Sequence, residues 1–291
     1  MIPKRILLVI FNLTVVAVLS NSCKYNDGQN SADVIVYGGT SAGISAAIQT
    51  ARLGKSVILI EPTNRLGGLT TGGLGQTDIG NKQVIGGIAR EFYRNIKKHY
   101  DDSTNWVWQT RSEYKDGGQT HSGIYEDAMW TFEPSAALKV FHEMIKDPEI
   151  RIVYNQRLNR KTGVKKDLNS ITSISMESGI TFYGKIFIDA SYEGDLMATA
   201  GISYTIGRES NSQYGESLNG VQAKVYAKTI LGTVSHNCIH HNFINGVDPY
   251  IIKGDTTSGL LPYISEGGPG IEGNGDNGIQ AYCFRMTLTD H

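Results

Sequence analysis

The chain changes character several times along its length. Lys4 and Arg5 precede an apolar run from Ile6 to Leu19, and Ser20, Asn21 and Ser22 then lead to Cys23. A charged start, a short apolar middle and small residues before a cut describe a secretory signal over residues 1–22. The run falls short of the ~20 apolar residues that span a bilayer, and Asn12 interrupts it. Residues 23–31 read as a polar tether. From Asp33 the pattern becomes that of a folded domain. Val34-Ile35-Val36-Tyr37 and Val57-Ile58-Leu59-Ile60 are continuously apolar, as strands buried on both faces of a parallel sheet should be. Between them, Ile44 to Leu53 is rich in small residues, reads as a helix and is closed by Gly54. Ile85, Ala89, Phe92 and Ile96 recur at helical spacing and predict an amphipathic helix from Gly86 to Tyr100. Glu133-Pro134 opens another helix, with Leu138, Phe141 and Ile145 as its apolar stripe, and Asp147-Pro148 ends it. Ile150 to Tyr154 reads as a third parallel strand. Short strands follow at about 156–161, 170–177 and 180–183, then one from Lys185 to Ala190.

Composition narrows the function classes. With 27 Lys+Arg against 28 Asp+Glu the net charge is −1, so the basic face that grips nucleic acid is not expected. Glycine supplies 34 of 291 residues without a three-residue period, which excludes collagen and points to bends and close backbone approaches. Three cysteines without a C-x-x-C spacing cannot build a four-cysteine metal site. Cys238 and Cys283 read as buried thiols. His236 and His240, with His241 adjacent, have a ligand-like spacing, but no acid pattern or clear helix accompanies them, and no metal is expected. Cys23, directly after small residues, resembles the lipidation site of a bacterial lipoprotein, although Leu19 lies one place further from it than the usual motif has it. The expected location is therefore outside the cytoplasm, periplasmic or membrane-anchored, with contact to a membrane only through a Cys23 lipid.

The first chemistry-bearing segment is Gly38-Gly39-Thr40-Ser41-Ala42-Gly43, between the first strand and the helix. Unpaired N–H groups and the positive end of the helix dipole make that loop an anion site suited to a pyrophosphate. Gly38 makes the tight turn, Gly43 lets helix and strand approach, and Glu61, at the end of the second strand, stands where an acid accepts hydrogen bonds from a ribose. Thr40 replaces the middle glycine of the fingerprint. Its β-branched side chain either crowds the pyrophosphate or donates a hydrogen bond to it. Gly268-Pro269-Gly270-Ile271-Glu272-Gly273 matches the same fingerprint by letter. It lacks a strand before it and a helix after it, and reads as a loop.

Arg65-Leu66-Gly67-Gly68 and the glycine-dense stretch to Gly75 follow Glu61 directly. They look like the R-x-G-G element of flavoproteins, which a nicotinamide dehydrogenase does not need. Together with Ile188-Asp189-Ala190-Ser191-Tyr192-Glu193-Gly194-Asp195-Leu196, these motifs resemble, in order, those of the bacterial FAD-dependent oxidoreductase family. That family lies within the wider glutathione-reductase-like FAD fold. The resemblance implies an α/β fold: a Rossmann-like FAD-binding domain with a parallel sheet and a β-meander, plus a mixed α+β substrate region. It implies FAD as cofactor, held by residues 38–43, Glu61, Arg65, Gly67, Gly68 and Thr71. It also places backbone near Leu158 against the adenine, and Ala190 and Ser191 beside the cofactor. The expected division is 32–100 with 131–201 for the FAD-binding domain, and 101–130 with 202–291 for the substrate or cap region. The family fold closes with a segment returning to the flavin, and this chain ends before it, so the resemblance implies a shortened member whose activity is open.

The substrate side is less informative. Arg208 and Arg285 lie in segments resembling recurrent family ones, and could hold an anionic or oxygen-rich substrate through paired hydrogen bonds or serve structural ion pairs. The expected activity is hydride transfer between a small-molecule or carbohydrate-type substrate and the flavin, with a separate electron acceptor. No residue stands out as a catalytic acid or base. Two alternatives remain: an NAD-dependent dehydrogenase, and a surface lipoprotein that binds or cleaves polysaccharide.

Overall fold

The computed structural model describes residues 28–76, 79–117, 120–123, 126–222, 247–264, 266–267, 270–279 and 288. The chain divides into two compact units, the second spanning Tyr204–Phe284. The described residues before Tyr204 are built on one six-stranded sheet in the order β3-β2-β1-β6-β5-β4. Its strands are β1 (Ser31–Tyr37), β2 (Val57–Ile60), β3 (Ile150–Val153), β4 (Val164–Asp167), β5 (Ser170–Ser175) and β6 (Thr181–Asp189). The four strands β3, β2, β1 and β6 pair in parallel, while β5 and β4 continue the sheet as an antiparallel meander.

The continuous apolar runs are explained by cover on both faces. Val34, Val36, Val57 and Leu59 point into one core with the helices α1 (Ser41–Arg52), α2 (Gly87–Asp101) and α3 (Pro134–Met144). Ile35, Tyr37, Ile58 and Ile60 point into a second core, closed by Leu158, Ile174, Met176, Phe182 and Leu196 from the meander and beyond. Phe92, Ile96 and Tyr100 are the buried stripe of α2. In α3, Ala136, Ala137, Val140 and Phe141 are buried, whereas Leu138 is only partly covered.

Three expectations change at the meander and the chain entry. β1 begins at Ser31, which pairs with Tyr183 and so lies in the sheet and not in a tether. Residues 156–161 form no strand; Leu158 alone makes a bridge, to Met176, and the meander strand is Val164–Asp167. The separate strands at 180–183 and 185–190 are one strand, β6. Gly184 inside it is required by packing. A Cβ there would lie 2.6 Å from Ile35 Cγ1.

Residues 101–130, expected in a substrate region, are anchored on α2. Trp106 Nε1 donates to the Tyr100 carbonyl at 2.7 Å, Arg90 pairs with Glu126 at 3.0 Å, and Tyr93 packs on Trp130. The second unit contains a short helix α5 (Asn211–Tyr214) and isolated bridges Arg208–Asp276 and Tyr250–Leu260. In the first unit the short helix α4 (Asp195–Thr199) follows β6. Among the described residues no helix is long and apolar enough to cross a membrane.

Candidate cofactor site

Three loops meet at the carboxyl ends of β1, β2 and β6, where ligands of open α/β sheets bind. The first is the turn from β1 into α1. Gly38 has φ +104°, and a Cβ on it would lie 2.7 Å from the backbone of Ala190 and Ser191. Gly43 faces Gly38 so closely that a Cβ would come within 1.9 Å of the Gly38 carbonyl oxygen. The two glycines thus do what the spacing predicted: one turns the chain and the other brings helix against strand.

Thr40 behaves in neither of the expected ways. It is the N-cap of α1, with its hydroxyl accepting from Gly43 N–H at 3.2 Å and donating to the Ala190 carbonyl at 2.8 Å. The hydroxyl is turned inward and buried, so it neither crowds nor contacts an anion in front of the helix. The Gly39 amide is also occupied, donating to Glu61 Oε2 at 2.8 Å. The amides of Ser41 and Ala42 make no hydrogen bond to any described residue. They sit in the first turn of a 12-residue helix, where the dipole favours negative charge. These two donors are the part of the loop that fits a diphosphate.

The second loop carries Glu61 and the arginine–glycine motif. Glu61 is buried, and Oε1 accepts from both the amide and the hydroxyl of Thr63 at 2.7 Å. With Oε2 taking only the Gly39 amide, one acceptor position on the carboxylate stays open for a ribose hydroxyl. A recess of about 500 Å³ adjoins, lined by Thr63, Asn155 and Arg157 among others. Leu158, the next residue, has its own amide bonded to the Tyr37 hydroxyl at 3.0 Å, and burial pushes that phenol's pKa up.

Arg65 acts within the protein. Its guanidinium grips the Thr71 carbonyl through Nε at 3.0 Å and Nη2 at 2.6 Å, and the buried Thr71 hydroxyl donates to the Leu66 carbonyl. The loop they shape lies on the first one, with Gly67 N–H donating to the Gly39 carbonyl at 2.7 Å. Gly68 is passed by Tyr192, whose hydroxyl would be 2.1 Å from a Cβ there and accepts the Leu69 amide at 2.7 Å.

The third loop begins at the end of β6. Asp189 pins it by accepting from Ser191 N at 2.9 Å, Ser191 Oγ at 2.7 Å and Met197 N at 2.8 Å. Ala190 is buried against Gly38 and bonded to Thr40, so Ala190 and Ser191 do adjoin the phosphate loop. Asp189 and Tyr192 stand in the Ile188–Leu196 motif, but no role was assigned to either from sequence. An acid two residues before a serine is an Asx-turn signal that could have found the first. No local signal marks the second.

Arg208 belongs to the second unit and pairs with Asp276, through Nε to Oδ1 at 2.8 Å and through a second contact from Nη2. Cys23, Arg285, Cys238, Cys283 and His236, His240 and His241 lie outside the described residues, as does part of the Gly268–Gly273 decoy. Among the described residues no group of three or more His, Cys, Asp or Glu could hold a metal ion.

The chain is similar in fold to several solved structures. L-proline dehydrogenase from P. horikoshii matches at 17% identity over 62% of this chain and 59% of its own, with a TM-score of 0.39. L-amino acid deaminase from Proteus vulgaris matches at 16% over 62% and 52%, with a TM-score of 0.41. A 3-ketosteroid-delta4-(5alpha)-dehydrogenase from Rhodococcus jostii RHA1 matches at 17% over 58% and 47%, with a TM-score of 0.35. The chain therefore spans less than two thirds of the length of each. No curated protein sequence matches it. The model of the FAD dependent oxidoreductase family covers residues 33–291, from within β1 onward. The chain belongs to the FAD dependent oxidoreductase family, and FAD is its cofactor.

Proposed function

We propose that the protein is an oxidoreductase that moves hydride between a small-molecule or carbohydrate-type substrate and FAD, with a separate acceptor taking the electrons. The observation that carries this reading is the pair of amides, Ser41 and Ala42, that bond to no described residue at the head of α1, beside the Gly67 and Ala190 loops. Bound FAD supplies the hydride-accepting ring, and the protein supplies binding and orientation. Ser41 and Ala42 hold the diphosphate, Glu61 takes a ribose hydroxyl, and the recess beside Thr63 and Arg157 takes the adenosine end. Arg65, Thr71 and Asp189 keep the loops in place without touching the cofactor.

In this reading residues 32–100 and 131–201 are the cofactor-binding part, and 101–130 with 202–291 the substrate-facing part. Residues 1–22 direct export, and Cys23 is lipidated to anchor the protein at a bacterial membrane surface. Incorporation of a labelled fatty acid that disappears in Cys23→Ser tests the anchor. The redox function is tested by releasing the cofactor from purified protein, identifying it, and following anaerobic bleaching of the flavin with candidate substrates. A protein that carries no flavin and acquires none on incubation with FAD would refute the function. NAD retained in its place would favour a nicotinamide dehydrogenase.

A further inference from the structure

The segment between α2 and α3 folds into a cleft of about 460 Å³, within the ~300–1,000 Å³ range of small-molecule sites. One wall, Gly73, Gly75 and Gln76, is the continuation of the Arg65–Gly68 loop. That wall is fixed to the base of the other. Phe132 N–H donates to the Gly75 carbonyl at 2.9 Å, Gln76 bridges Thr131, and a Cβ on Gly75 would lie 2.4 Å from the Phe132 carbonyl oxygen. The cofactor loop and this cleft are therefore one stretch of chain, shaped at its start by Arg65 and at its end by Phe132.

We infer that this cleft is the substrate site and that it receives an uncharged, polyhydroxylated ring such as a hexose or a short neutral glycan. The inference rests on the oxidoreductase reading above and names its substrate class. Three features carry it. The aromatic wall is held in place: Trp106 lies 5.1 Å from the Tyr100 ring and 5.5 Å from the Tyr114 ring. Its indole N–H is committed to the Tyr100 carbonyl, and Tyr114 is bonded to Thr131. Beside them Trp108 is 54% exposed. The faces of such rings carry partial negative charge and suit the C–H face of a sugar ring. Gln76, Asn105 and Gln109 supply amide groups. Gln76 Nε2 already reaches Thr120 Oγ1 at 3.5 Å and Asn105 Nδ2 the His99 carbonyl at 2.7 Å, so these two serve a ligand hydroxyl mainly through their carbonyl oxygens, while Gln109 can donate and accept.

The charge pattern then separates ligand classes. Among the lining residues Glu133 is the sole charged side chain and none is cationic, so the cleft offers an anionic substrate no side chain to pair with. The Glu133 carboxylate is already served, accepting from the Tyr100 hydroxyl at 2.9 Å at the N-cap of α3, where the helix dipole offsets its charge. It therefore does not call for an ammonium ligand.

The test is binding of methyl β-glucopyranoside, cellobiose, glucuronate and choline to the full protein. Tryptophan emission reports the cleft, and flavin absorbance independently reports cofactor content. Trp108→Ala and Gln109→Leu change exposed side chains, and circular dichroism checks that both variants fold. The expected result is saturable quenching by the neutral sugars, weakened about tenfold or more in each variant, with the flavin-to-protein ratio unchanged. The inference is overturned if neutral sugars leave the emission unchanged, if both variants bind them as well as the parent, or if glucuronate or choline binds more tightly. A protein that binds the sugars but carries no flavin would uphold the site while removing the redox reading.

Discussion

Thr40 offers the sharpest perturbation, because the structure assigns its hydroxyl to the protein itself. Thr40→Val keeps the shape of the side chain and deletes one acceptor, for Gly43 N–H, and one donor, to the buried Ala190 carbonyl. Loss of an N-cap costs about 0.5–2 kcal/mol, and a buried carbonyl left without its partner costs about 1–3 kcal/mol. The sum, about 1.5–5 kcal/mol, is a large share of the ~5–15 kcal/mol that holds a typical domain folded. Urea unfolding of the cofactor-free protein should show this loss as a lower midpoint at unchanged slope, while Thr40→Ser retains most of the parent stability. FAD affinity, measured where both proteins are folded, should change by less than about tenfold. A Thr40→Val protein with the parent midpoint and an affinity for FAD about 100-fold weaker would refute the reasoning. The hydroxyl would then be bonded to the diphosphate and not to Ala190.

Other consequences are simpler. Gly43→Ala places a methyl 1.9 Å from the Gly38 carbonyl oxygen, so α1 must move off β1; we expect loss of bound flavin and roughly 1–3 kcal/mol of destabilisation, read by absorbance and urea unfolding. Asp189→Ala removes the acceptor of three hydrogen bonds that pin residues 191–197. It should cost about 2 kcal/mol and raise protease sensitivity in that loop, with Asp189→Asn milder. Asp33 is held to a pKa of about 2, first by its hydrogen bond from Lys185 and then by Ser56. Its carboxylate thus stabilises the fold above the ordinary 3.8, and that contribution disappears as pH falls through about 2. Asp33→Asn should flatten the acid limb of a stability–pH profile between those values, and an unchanged limb would contradict the assignment.

What the sequence revealed follows from how local the signals are. β1 and β2 are legible because burial on both faces makes every position apolar. The phosphate loop is legible because turn, close approach and acid fall at fixed spacings along 24 residues, from Gly38 to Glu61. β4 is hidden, since Lys165, Lys166 and Asp167 are exposed, and only pairing with β5 makes the segment a strand. The partners that define the site are hidden for another reason. Thr40 meets Ala190 across 150 positions and Leu69 meets Tyr192 across 123, distances at which pattern carries no information. The resemblance assigned residues 101–130 to the substrate side, but no single residue of the cleft stood out, because its aromatic residues follow neither helical nor strand periodicity.

The central claim is that two backbone amides, Ser41 and Ala42, receive a diphosphate. Titration calorimetry of flavin-free protein with FAD, ADP and riboflavin tests it most directly. FAD and ADP should both bind, each bringing a diphosphate to the head of α1, while riboflavin, which has none, should bind at least about 100-fold more weakly than FAD. Riboflavin binding as tightly as FAD, with ADP showing no heat at all, would contradict it.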